Sequence, residues 1–110
     1  MRRLFFLAVA ALAVFSAPAI AEDKKVYELS ISDHRFTPSE IKVPAGKAFT
    51  LKVKNLDPTP EEFESYPLKL EKVITGKGEA ILHVRALKPG TYPFKGEFNE
   101  KTAQGVIIAE

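Results

Sequence analysis

Three carboxylates crowd one short segment, Glu61, Glu62 and Glu64, interleaved with Phe63 and preceded by Pro58-Thr59-Pro60. In an extended chain successive side chains point to opposite faces, so Glu61 shares a face with Phe63 while Glu62 and Glu64 share the other. Phe63 is a core residue by type, which turns Glu61 inward. An inward carboxylate without a partner is costly, so it must find a cation, a hydrogen-bond donor or water. One reading is a metal site built on oxygen. Glu61 is its central ligand, Glu97 and His34 are co-ligands, and Glu62 is a fourth candidate; Glu62 or Glu64 also serves as an electrostatic lure or docking charge. Carboxylates with one imidazole suit ferrous or ferric iron or manganese, and also take copper(II). The other reading has Glu61 bonded to backbone amides or a nearby Lys, with Glu62 and Glu64 solvated. Both stay open at this level.

The remaining chemistry is defined by what is missing. There is no Cys, and the single Met is Met1. Thiol nucleophiles, thiolate metal centres and disulfides are therefore excluded. His34 and His83 are the two histidines. His83 alternates with Leu82 and Val84 and is expected to face solvent without a role. His34 is balanced between a ligand and an exposed or backbone-bonded group. Asn99, Lys101 and Thr102 either cap the site or simply form a turn, as Asn commonly does. No nucleophile stands beside a base, and no Gly-rich phosphate loop opens a helix. The expectation is a protein that is not an enzyme and binds no nucleotide.

The elements that would position these groups follow a leader. Met1-Arg2-Arg3 is basic, Leu4 to Phe15 is apolar, and Ala19-Ile20-Ala21 presents small residues for cleavage. That is the anatomy of a secretory signal peptide over residues 1–21, leaving a domain over 22–110. Removing Arg2 and Arg3 lowers Lys plus Arg from 16 to 14, equal to the 14 Asp plus Glu. The mature chain is formally neutral with scattered lysines, so nothing favours nucleic acid.

Within 22–110 the pattern is that of short strands. Tyr27, Leu29 and Ile31 alternate with polar residues, and Phe49, Leu51 and Val53 alternate with Thr50, Lys52 and Lys54. Ile41 and Val43, Glu61 to Ser65, Leu68 to Glu71 and Ala80 to Val84 give further strands. Asp33 to Ser39 is a bend, and a short helix or irregular excursion is expected between Pro67 and Gly78. The last third opens on the Lys88-Pro89-Gly90 turn, runs a strand through Tyr92, Phe94, Gly96 and Phe98, and closes on Val106-Ile107-Ile108. Seven or eight such strands, with turns every ten residues or so, specify an all-β Greek-key sandwich.

Phe36-x-Pro38, Val43-Pro44-Ala45-Gly46, Val53-x-Asn55 and Pro89-Gly90-Thr91-Tyr92-x-Phe94 occur in the order seen in cupredoxins, and the chain resembles that superfamily over nearly all of its mature length. The resemblance implies a cupredoxin-like fold. It also places the four copper-ligand positions at Glu61, Gly96, Asn99 and near Ala103, none of which is a blue-copper ligand. It further sets His34 at the metal end of the sandwich. Pro58-Thr59-Pro60-Glu61-Glu62-Phe63-Glu64-Ser65, Glu71-Lys72-Val73-Ile74 and Gly96-Glu97-Phe98-Asn99 with Thr102-Ala103-Gln104-Gly105 are similar to the EfeO-type cupredoxin-like domains of bacterial iron-uptake systems. What this implies is a periplasmic accessory protein of metal uptake, binding an iron or copper ion or none. Its partner would be a membrane iron permease or a periplasmic metal-binding protein. The alternative is a metal-free periplasmic interaction module that docks a membrane or soluble partner.

Overall fold

The computed structural model describes residues 24–110, so the expected leader lies outside the described residues. Among the described residues nine strands form: β1 Val26–Ser32, β2 Arg35–Thr37, β3 Glu40–Val43, β4 Phe49–Asn55, β5 Glu61–Ser65, β6 Leu70–Ile74, β7 Glu79–Val84, β8 Gly90–Gly96 and β9 Gln104–Ala109. They make two sheets, ordered β2-β1-β4-β7 and β3-β9-β8-β5-β6. The pairs β1–β4 and β3–β9 are parallel, and the other pairings are antiparallel. Parallel neighbours far apart in sequence require the chain to cross between sheets, as in a Greek-key sandwich.

Alternation chose the buried face. Leu29 and Ile31 on β1, Leu51 and Val53 on β4, Phe63 on β5 and Ile107 on β9 are fully buried between the sheets. Near the end of the sandwich that carries Glu61, Phe36 meets Phe94 edge-on at 5.0 Å and Phe63 at 6.0 Å, while Phe63 and Phe94 stack at 5.2 Å. Such pairs add directional attraction to the area they bury. This aromatic cluster fixes the height of β5 against β8.

Three local expectations changed. The bend at Asp33 contains a strand, because Asp33 and His34 both adopt left-handed φ, 54° and 55°. That two-residue turn matches strand twist and folds β2 back on β1. The Asp57 carboxylate holds it, accepting the Asp33 amide at 2.8 Å and the His34 amide at 3.0 Å. The strand expected over Leu68 to Glu71 begins at Leu70 and runs to Ile74, after a turn over 66–69, so of the helix or irregular excursion allowed between Pro67 and Gly78 the irregular form is present. The strand expected to reach Phe98 stops at Gly96, and Glu97–Asn99 form one 3-10 turn. Phe94 is core, whereas Phe98 is half exposed.

Candidate functional site

β5 lies between β8 and β6, and its side chains alternate between inner and outer faces. Glu61 is inward and only 2% exposed. Its Oε1 accepts the Phe98 amide at 2.9 Å and the Glu62 amide at 3.0 Å. Its Oε2 accepts the Asn99 side-chain amide at 2.6 Å. A buried carboxylate facing three N–H donors is well compensated, and hydrogen bonds to a charged acceptor are the stronger kind. Glu61 therefore ties the loop after β8 to the end of β5.

The other three positions in the copper-ligand pattern converge on the same point. Gly96 closes β8 with an ordinary extended φ of −93°, so glycine is not required there for conformation. Space requires it. A Cβ on residue 96 would lie 2.7 Å from Glu61 Cδ, 2.9 Å from Glu61 Oε1 and 2.7 Å from Ala103 Cβ. Ala103 is fully buried, its carbonyl accepting the Gly96 amide at 2.8 Å and its own amide bonding the Asn99 carbonyl at 2.8 Å.

On the outer face of the same strand the chemistry reverses. The β5–β6 register sets Glu64 opposite Glu71 and Glu62 opposite Val73. One carboxylate oxygen each from Glu62, Glu64 and Glu71 lies within 4.8 Å of the others. Sharing a hydrogen bond with Glu71 pushes the Glu62 carboxyl up to about 7, helped by desolvation and by the charges of Glu71, Glu64 and Glu97. A hydrogen bond with Glu97 likewise raises Glu64, and the same bond together with Lys95 lowers Glu97. Lys95 bridges to Glu100 at 2.6 Å and Glu97 at 3.2 Å, which raises its own pKa. Glu71 was not singled out from sequence. A hairpin turning at Tyr66 to Lys69 would have paired it with Glu64.

His34 sits on the turn before β2 and lines a cleft of about 540 Å³ with Glu97, Phe98, Asn99, Glu100, Lys101 and Thr102. Its Nδ1 lies 3.6 Å from Asp57 Oδ2 and has no hydrogen-bond partner. Its carbonyl accepts Thr102 Oγ1 at 2.7 Å. The four expected ligands thus fall in three places. Glu61 is sealed beneath the final loop, Glu62 is outside with Glu97 close enough to raise its pKa, and His34 shares a cleft with Glu97. His83 is exposed.

Sequence reasoning used Asn55 only as part of the Val53-x-Asn55 motif, with no role assigned, and passed over Asp57. Buried Asn55 donates to the carbonyls of Thr59 at 2.8 Å and of Ile74 and Thr75 at 3.3 Å, and accepts the Asp57 amide at 3.1 Å. It anchors the loop that leads into Glu61. The signal was available: an Asn closing a clean alternating strand, with Asp two residues on, favours side-chain bonds to local backbone.

A model of the cupredoxin-like domain matches residues 5–109. The chain belongs to the cupredoxin-like domain family. An uncharacterized protein of Rickettsia prowazekii (strain Madrid E) is 40% identical over 81 residues, covering 74% of this chain and 65% of that protein. The chain thus spans a little under two thirds of that relative's length. Auracyanin A, a "blue" copper protein from Chloroflexus aurantiacus, superposes with a TM-score of 0.67 at 14% identity, over 77% of this chain and 98% of that one. The metal-binding domain of the Cu(I)-exporting P-type ATPase CopA of Streptococcus pneumoniae D39 gives 0.68 at 13% identity, over 77% and 84%. At these identities the likeness establishes the cupredoxin fold alone.

The copper of such a centre does not fit the residues present here. A blue-copper site needs two imidazoles and a thiolate, with a weak axial thioether. At the positions that the resemblance assigns to the ligands, this cupredoxin-like chain offers a carboxylate, a bare α-carbon, an amide and a methyl. The Glu61 oxygens are turned toward N–H hydrogens, which repel a cation.

Proposed function

We propose that the chain is an exported, periplasmic, non-enzymatic accessory protein of metal uptake, with iron as its cargo. In this reading it works beside a membrane iron permease or a periplasmic metal-binding protein. The observation that supports it best is the outer acidic group, in which one oxygen each from Glu62, Glu64 and Glu71 lies within 4.8 Å of the others and Glu97 is close enough to hydrogen-bond Glu64. Oxygen donors on an outer face suit weak, exchangeable capture of ferrous iron or manganese, and His34, which shares a cleft with Glu97, is a separate nitrogen donor. The segments similar to EfeO-type domains lie at this end of the sandwich. In this role Glu61 is the residue that holds the loop carrying Glu97, while Glu62 and Glu97 are the ones that meet cargo.

Anaerobic calorimetric titration with ferrous iron, manganese and copper(II) tests the proposal, repeated on Glu62→Gln, Glu71→Gln and His34→Ala. Micromolar binding that weakens about tenfold or more in the carboxylate variants supports it. Absence of heat with all three metals would defeat it.

A second reading rests on a different observation. With Glu61 fully hydrogen-bonded and the loop closed, the same sandwich serves as a metal-free interaction module. Tyr66, 85% exposed beside Glu64, and half-exposed Phe98 would then be its contact residues. Metal-independent binding to a purified permease that is lost in Tyr66→Ser would favour it.

A further inference from the structure

We propose that the Glu61 carboxylate is a built-in replacement for the metal of this fold: it occupies the space of a residue-96 side chain and closes the final loop as a metal would, so that truncating residue 61 exposes a site selective for a small carboxylate anion. Three observations carry this. Glu61, Gly96, Asn99 and Ala103 come together at one buried point, although the first two are 35 positions apart in the chain. The would-be Cβ of residue 96 lies inside the van der Waals envelope of Glu61 Cδ and Oε1, so the carboxylate cannot keep its place beside a residue-96 side chain. The groups that close on that point are donors, the amides of Phe98 and Glu62 and the Asn99 side chain, and they are arranged for an anion.

The polarity of the site has therefore been inverted. A metal gathers loop lone pairs around a cation, whereas here an anion on β5 gathers loop N–H groups. The consequence is a loop that folds without any ion, leaving Glu97 and the His34 cleft ordered before cargo arrives. The proposal is independent of the cargo role and stands or falls separately from it.

The test uses unfolding of the purified protein and of Glu61→Ala, in sodium formate and in sodium chloride at matched ionic strength. Formate supplies the missing carboxylate to Phe98 and Asn99. The expected result is a large loss of thermal stability in Glu61→Ala, restored substantially by formate and not by chloride, with no formate effect on the parent. If Glu61→Ala folds only when formate is present, the same conclusion holds. A second arm avoids any cavity variant. Glu61→Asp retains the charge but withdraws it from residue 96, so the equilibrium penalty of Gly96→Ala should fall about tenfold in the Asp background. Equal effects of formate and chloride, or strictly additive substitutions at 61 and 96, would overturn the proposal.

Discussion

Adjacent residues of one strand, Glu61 and Glu62, carry the same functional group and meet opposite fates. Inside, Glu61 faces three N–H donors, is sealed from water and holds a loop. Outside, Glu62 faces Glu71, Glu64 and Glu97, and its carboxyl is pushed up to about 7. The difference teaches that a carboxylate's work is set by the sign of what surrounds it. Burial among donors makes it structural. Crowding among its own kind at the surface makes it a seeker of protons or cations.

The comparison breaks most visibly at Glu61. Glu61→Ala leaves the Phe98 amide and the Asn99 side chain without an acceptor and opens a void, at a cost of about 3 kcal/mol. In a domain of this size that lowers Tm by roughly 12–24 °C in a thermal melt. Glu61→Gln keeps the shape and one acceptor, and should cost about 1 kcal/mol. Between those two falls Gly96→Ala, at about 2 kcal/mol, because its methyl has to displace Glu61 or Ala103. Its extended φ adds no backbone strain and the surface exposed on unfolding is unchanged, so urea unfolding should show a shifted midpoint with an unchanged slope.

Asp57 offers a smaller and pH-dependent effect. Its pKa is lowered, chiefly by the His34 amide hydrogen bond and further by the Asp33 amide and the charges of His34 and Lys77. A depressed carboxyl contributes stability that is present above its unfolded value of 3.8 and lost as pH falls through the folded one. Asp57→Ala should therefore cost about 1 kcal/mol at neutral pH and flatten the acid limb of the stability curve below pH 4.

The outer cluster sharpens the contrast with the smallest effect and the opposite sign. Glu62 is raised from 4.5 to about 7, so its contribution is full below pH 4.5 and fades as pH climbs to 7. Stability should drift downward across that window, more shallowly in Glu62→Gln or Glu71→Gln and in the presence of manganese. Chemical-shift titration of the Glu62 carboxyl reads the same event directly. Glu62→Gln should leave Tm within about 2 °C of the parent at neutral pH, because the side chain lies on the outer face of β5 and is only partly covered.

The alternation of Tyr27, Leu29, Ile31 and of Phe49, Leu51, Val53 was enough to specify buried faces, because a strand's side-chain period is two whatever the strand pairs with. It failed where the chain leaves that period. β2 is three residues long and exists through a left-handed turn held by Asp57, 24 residues from Asp33. Phe98 continues the spacing of Tyr92, Phe94 and Gly96, yet the chain coils after Gly96 and brings the Phe98 amide to Glu61. At the candidate site the inward direction of Glu61 was legible from Phe63. Its partners were not, since Phe98 and Asn99 lie 37 and 38 residues away. Glu71 escaped for the same reason: its meaning depends on the register with Glu64.

The amino-acid order alone determined that this chain makes a two-faced β-sandwich without sulfur ligands, because side-chain type and a period of two are local properties. Only the folded arrangement decided what the inward carboxylate of Glu61 would meet. Gly96, Asn99 and Ala103 acquire their roles from one buried carboxylate on a different strand, and a distance between strands is not written in any stretch of sequence.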